Sequence, residues 1–294
     1  MLKRRSVSEI TFDYFNIIFL VFSVVIMIYP FLYVVFASLS DPARFAEHSG
    51  LLLSPLSLSF DSYKAVFDNP NILNGYKNTL VYLLVGTTIN MALTTLGAYS
   101  LSLRKLKMRN YIMMGIVFTM LFNGGLIPTY ILIKNLHFID SIWAITLPSA
   151  ISTMNLIIMR TSFQSIPASL EESARIDGAN DLVIFARIMI PLSIPVISVM
   201  ILFYGVGNWN AWFNASIYLR SREKYPLQLI LREILIQNST DSMMTGAAAS
   251  DDKSLVSETI KYATIVVATV PILMVYPMLQ KYFVKGVMVG AIKG

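Results

Sequence analysis

Apolar residues in this chain fall in long unbroken stretches, with neither the period-2 alternation of a half-buried strand nor the polar stripe of a surface helix. From Tyr14 to Leu39 there is no charged residue. A helix crosses the hydrocarbon core of a bilayer with about 20 such residues. The pattern predicts spans over 14–39, 77–103, 110–133, 140–160, 191–218 and 259–281. The first is too long for a signal-peptide core and has no small-residue cleavage site, so it is read as retained. The fourth is interrupted by Pro148, Asn155 and several Ser and Thr. Without it the chain would have five spans and its C-terminus would change sides. Six spans is the reading adopted: an all-α integral membrane protein, with residues 1–13 as a cytoplasmic N-terminus and 14–294 as one membrane domain.

Composition supports this. Hydrophobic residues make up 55% of the 294 and charged residues only 14%, against about 25% in a soluble domain. That is too little charge to cover the outside of a water-soluble fold of this length. Cysteine is absent, which excludes disulfides and thiolate chemistry. His48 and His137 are too few and too far apart for an evident metal site. A net charge of +6 would suggest nucleic acid in a soluble protein. Here the basic residues report topology, and no nucleic-acid partner is expected. Lys3, Arg4 and Arg5, the cluster Arg104, Lys105, Lys107 and Arg109, and the tail lysines Lys281, Lys285 and Lys293 share one side if the spans alternate. That side is the cytoplasm, with both termini on it. Arg220, Arg222, Lys224 and Arg232 fall outside, in the 219–258 loop, where length weakens the rule. The outer loops, 40–76 and 219–258, are the more polar parts. Ser239 to Lys253 reads either as a flexible loop or as an arm toward a partner. No internal repeat points to an inverted-repeat transporter.

One cytoplasmic stretch, 161–190, differs from the rest and reads as two short helices about a turn. Ser165 with Pro167 suits a helix start. Glu171 and Glu172 lie in early turns, where the dipole favours anions. Gly178 suits a left-handed cap. Leu170, Ala174 and Gly178, four apart, form one small smooth face for another protein. A second helix leads to Pro191, which opens the fifth span. Adjacent carboxylates on a helix point about 100° apart, which argues against a catalytic pair at Glu171 and Glu172.

The spacing Glu172-Ser173-Ala174, Gly178, Ile188-Met189-Ile190-Pro191 resembles the cytoplasmic "EAA" loop of ATP-binding-cassette importer permeases. Ser173 stands where that pattern has Ala, and Ile190 where it has Leu. Asp177-Gly178-Ala179 also fits. Asn208-Trp209-Asn210 and the tail 281–294 are similar to the carbohydrate branch. Phe122 to Thr129 resembles a narrower set of maltose-type second permeases for larger or polysaccharide-derived oligosaccharides. The resemblance extends over nearly the whole chain. It implies the type I importer fold, with a coupling helix between spans four and five, in a bacterial cytoplasmic membrane. It implies a heterodimer with a second permease, two ATPase subunits below, an extracytoplasmic solute-binding protein above, and an oligosaccharide as cargo. Contact with the ATPase would be made by Leu170, Glu171, Glu172, Ser173, Ala174, Asp177, Gly178 and Ala179, with Pro191 ending the motif. The chain has no G-x-x-x-x-G-K-[ST] phosphate loop. It is therefore expected to be a transport subunit, not an enzyme, and to bind no cofactor, with ATP and Mg held by the partner.

Tyr204, Asn208 and Trp212 are four apart and are expected to share one helix face. A ring beside an amide suits a sugar, and polar groups in spans usually face a cavity. Asn208 also lies about 25 Å from Pro191 along a helix, where a Trp is often an interfacial anchor, so both readings stand. Asn123, with Gly124, Gly125 and Pro128, marks either a pathway-lining break or a plain kink. Gly207, Asn210, Ala211 and Asn214 suit close helix packing. Two rival functions remain: the same permease fold carrying peptides or amino acids, and an autonomous membrane enzyme or receptor. The second needs reactive groups within the spans, where Asp140, at an edge, is the one acidic residue.

Overall fold

The computed structural model describes residues 7–122, 124–237, 258–274 and 277. The described residues are mainly helical, and their one strand-like contact is an isolated bridge between Ser40 and Leu58. In chain order the helices are α1 (Val7–Ser38), α2 (Pro42–Glu47), α3 (Asp61–Asp68), α4 (Pro70–Ser102), α5 (Arg109–Leu121), α6 (Leu126–Asn135), α7 (Ile142–Thr146), α8 (Thr153–Gln164) and α9 (Ala168–Ile176). Then come α10 (Asp181–Leu192, with a π-helical turn at Phe185–Met189), α11 (Ile194–Trp209), α12 (Phe213–Tyr218), α13 (Leu227–Gln237) and α14 (258–274). Asn123, Ser239 to Lys253, the tail 281–294 and the N-terminal basic cluster lie outside the described residues.

The chain divides into two units, residues 1–70 with 233–270, and 71–232 with 271–294. In the first, α1 carries apolar side chains exposed along its length, as expected of a helix solvated by lipid. The core of this unit is Ala37, Phe45 and Leu52, flanked by Tyr33 and Tyr262. The rings of Tyr33, Phe45 and Tyr262 meet edge to face at 5.6–6.4 Å, the arrangement their quadrupoles favour. The buried Ser62 hydroxyl donates to Thr259 at 2.8 Å.

In the second unit α4 is central. Its buried face carries Thr79, Asn90, Thr94 and Thr95, polar groups that in a lipid-spanning helix need protein partners. Toward its C-terminal end, Ala98, Tyr99 and Leu101 pack with Met113, Leu156, Met159, Phe163, Ile184, Met189 and Met200. This cluster joins α4, α5, α8, α10 and α11.

By length and composition two helices, Thr11–Ser38 and Pro70–Ser102, are each long and apolar enough to cross a membrane. Two bent pairs, α5 with α6 and α10 with α11, bring the number to four if each is one span. The stretch expected as a fourth span is two pieces, α7 and α8, because Pro148 breaks the helix. Its freed backbone groups are served by side chains. Asn90 Nδ2 donates to the carbonyls of Ser149 (2.9 Å) and Ala150 (2.8 Å), and the Ser152 N–H donates to the Tyr204 hydroxyl (3.0 Å). Pro191, expected to open the fifth span, instead lies within α10. An 83° bend follows, and α11 starts at Ile194 with Pro195 in its first turn.

Asp140, in the loop before α7, anchors the 220–224 segment. Its carboxylate accepts from the Arg220 and Ser221 amides (both 3.0 Å), the Ser221 hydroxyl (2.7 Å) and Lys224 Nζ (2.7 Å). Burial by itself would raise its pKa, but the bonds from Lys224, Ser221 and Arg220 all favour the anion and hold it well below the usual carboxylate range. A depressed carboxylate pKa stabilises at every pH above the unfolded value, about 4, and the contribution is lost only as pH falls through the folded value. Amide-exchange protection of Arg220 and Ser221 is therefore expected to stay flat from pH 8 to pH 5 in the wild type. In Asp140→Asn, protection is expected to fall about tenfold or more. Unchanged protection in that variant would show that the clamp contributes nothing.

Candidate functional site: the loop between α8 and α11

The α8–α11 connection is built by helix-end chemistry. Ser165, expected at a helix start, instead closes α8, its N–H bonding the carbonyls of Thr161, Ser162 and Phe163. The break follows from Pro167, whose ring disfavours a helical conformation at the preceding residue. Pro167 caps α9, and Glu171 lies in the first turn. At the other end Gly178 has φ +85°. Its N–H bonds the Arg175 carbonyl (3.0 Å), and the Ala179 N–H bonds the Ala174 carbonyl (2.9 Å). These two bonds form a Schellman cap, which requires a left-handed residue at the Gly178 position. Ala174 and Ala179, the pair whose contact usually accompanies that cap, both pack against the core cluster at the C-terminal end of α4. Asn180 then caps α10, its side chain accepting from the Val183 N–H at 2.9 Å.

A chain of charges fixes the loop from the side. Arg175 pairs with Glu171 (2.7 Å) and with Asp181, and Asp181 pairs with Lys105 (2.9 Å), which follows α4. The Glu171 and Asp181 carboxylates push the Arg175 pKa up; the Lys105 ammonium, then the Arg175 guanidinium, push that of Asp181 down. Glu171 is thus bound within the chain, whereas Glu172 faces outward. A cleft of about 410 Å³ beside the loop is lined by Arg104, Lys105, Arg109, Glu171, Glu172 and Arg175, among others.

The face turned outward differs from the expected one. Ala174 points into the core, and α9 ends before Gly178. The uncovered surface comprises Ser169, Leu170, Glu172, Ser173, Ile176, Asp177, Gly178 and Leu182. Ile176 is 86% exposed and Leu182 71%. They are the most exposed apolar side chains of the loop. Sequence reasoning missed both, although an isolated Ile and Leu in so polar a stretch carry a signal. A Cβ on Gly178 would meet nothing within 4 Å among the described residues.

The second set of expected residues lies along α11. Tyr204 and Asn208 share a face, but it is turned to α4. The Tyr204 hydroxyl shares a hydrogen bond with Thr94 (2.7 Å), and Asn208 Nδ2 donates to Thr87 (3.1 Å) and Asn90 (3.0 Å). Gly86 leaves room for this, since a Cβ there would stand 2.9 Å from Asn208 Nδ2. Trp212 is not on that face, because α11 stops at Trp209 with Asn210 as its cap. Its ring instead carries the Arg232 guanidinium, 3.6 Å from the ring centroid. Among the described residues no group of three His, Asp or Glu converges as a metal site.

No family model matches the chain. It is 42% identical to Protein LplC of Bacillus subtilis (strain 168) over 283 residues, 96% of this chain and 95% of the relative. To the polygalacturonan/rhamnogalacturonan transport system permease protein YtcP of the same organism it is 42% identical over 281 residues, 94% and 96%. Among solved structures, a chain of a bacterial ABC transporter involved in import of the acidic polysaccharide alginate is 31% identical, with a TM-score of 0.86, covering 95% of this chain and 99% of that one. With one architecture shared from end to end and sequence identity of this order, the chain belongs to the permease family of ATP-binding-cassette sugar transporters.

Proposed function

We propose that the chain is one of two paired permeases in an importer that carries oligosaccharides inward across a bacterial cytoplasmic membrane at the expense of ATP. On this reading α7–α8 and α14 complete six spans, and both termini and the α9–α10 loop are cytoplasmic. The uncovered, rigidly capped α9–α10 turn carries the reading. Ile176, Leu182, Glu172, Asp177 and Gly178 are all exposed, with no cover from the described residues. It fits a groove on a separate ATPase, which would hold ATP and Mg. Closure of two such ATPases would move α9 and α10 together, since Arg175 ties them. The motion would pass to α11 through the bend at Ser193 and to α4 through Lys105. A solute-binding protein outside would deliver the sugar.

The test is ATPase activity of the reconstituted complex, with its co-encoded permease, ATPase and binding protein, across oligosaccharides, peptides and amino acids. Stimulation by oligosaccharides is expected. Stimulation by peptides or amino acids alone would retain the permease and discard the sugar. Silence from a well-assembled complex would overturn the importer reading.

A further inference from the structure

We propose that Arg232, held on the face of Trp212, reads a carboxylate of the cargo at the outer end of the pathway, and that the cargo is an oligosaccharide containing uronic acids. This rests on the sugar-import reading and narrows it. The pair lies beyond the end of α11 that is farther from the α9–α10 loop, with Arg232 on α13. Trp212 packs beside a cluster of Tyr82, Ile145, Ala215, Leu219 and Leu229, so its ring is fixed before any ligand arrives. Arg232 is exposed, and no carboxylate pairs with it among the described residues. By contrast Lys224, the nearby cation on the same outer segment, is already bound to Asp140. Stacking engages the flat face of a guanidinium and leaves its in-plane N–H donors free, in the fork geometry that matches a carboxylate. Beside it, Phe213 is half exposed and meets Trp212 edge to face at 5.5 Å. A uronic acid ring offers an apolar C–H face and a carboxylate at one edge; the half-exposed Phe213 ring and the Arg232 guanidinium, both against Trp212 and the latter with no carboxylate partner among the described residues, complement the two.

The two relatives above whose cargo is stated point the same way. One serves polygalacturonan and rhamnogalacturonan, the other the acidic polysaccharide alginate. An anchoring role for Arg232 would need only the stacked face and would be indifferent to charge on the sugar.

The experiment measures uptake of trigalacturonate and of its fully methyl-esterified form by the complete reconstituted complex, with Arg232 intact, Arg232→Gln or Arg232→Lys. The binding protein is wild type in every arm, so differences among variants report the permease. The wild type is expected to take up the acid. Arg232→Gln should raise the concentration for half-maximal uptake of the acid about tenfold, leave the ester unchanged, and leave the thermal midpoint of the complex unchanged. Arg232→Lys should recover part of the loss. Equal loss for acid and ester, or no loss for either, would overturn the proposal. Uptake of neutral oligosaccharides alone would also overturn it while leaving the importer reading intact, whereas failure to take up any sugar would remove the importer reading itself.

Discussion

On the proposed function, replacing Gly178 with valine is expected to remove most sugar-stimulated ATPase activity, about a tenfold loss or more, while the permease still inserts and pairs. Gly178 sits at φ +85°, where a β-branched residue is an outlier and pays on the order of 1–3 kcal/mol. The chain relieves that strain by leaving the left-handed region. This breaks the bonds from Gly178 to Arg175 and from Ala179 to Ala174, and it moves Ile176 and Leu182 relative to each other. Among the described residues nothing lies within 4 Å of a Cβ at this position, so the expected defect belongs to the turn and to whatever docks on it. Gly178→Asn is the control, because Asn tolerates the left-handed conformation and serves as a helix cap. It should keep several times more stimulation than the valine variant. Wild-type stimulation in Gly178→Val would refute a coupling role for the turn.

Asn90→Leu should lower the stability of the purified complex by about 1–3 kcal/mol, read as a drop in its thermal midpoint. Asn90 is 1% exposed, and its amide is the hub of the second unit. It donates to the Ser149 and Ala150 carbonyls and accepts from Asn208. Leucine fills a similar volume but leaves two carbonyls of the broken α7–α8 segment without donors, where lipid offers none. Thr88→Val, which removes a hydroxyl bonded only to the Leu84 carbonyl of its own helix, should be nearly neutral. Equal midpoints for the two variants would show that the α7–α8 break does not depend on α4.

Features fixed by local chain chemistry were legible in the sequence. The charge-free run from Tyr14 to Leu39 declares a lipid-facing helix whatever surrounds it, and Gly178 announces its left-handed cap because few other residues adopt that φ cheaply. Features that depend on a distant partner were not. Lys105 and Asp181 are 76 positions apart, and no local pattern marks them as a pair. Tyr204 and Asn208 do lie on one helix face, yet periodicity could not say that the face meets α4, where Thr94, Thr87 and Asn90 occupy their polar atoms. Trp212 was placed with them because the spacing continued; the helix did not. Pro148 signalled a break in the fourth stretch, but the amide and hydroxyl that make the break tolerable come from α4 and α11, outside any local window.

The 33 residues of α4 extend about 50 Å, well beyond the roughly 30 Å hydrocarbon layer. Near its first turns, Thr79 accepts the Leu227 N–H, and Gly75 lets α13 approach so closely that a methyl group would stand 2.7 Å from Ile230. Just past its last turn, Lys105 grips Asp181. No proline interrupts the shaft after Pro70. On the proposed reading it would act as a push-rod, tilting at one end displacing the other. On the same reading, the platform bearing Arg232 and the turn bearing Gly178 would be two ends of one lever. Load placed by cargo on the first would then alter the ease of closing the second, and by thermodynamic reciprocity the reverse would hold equally.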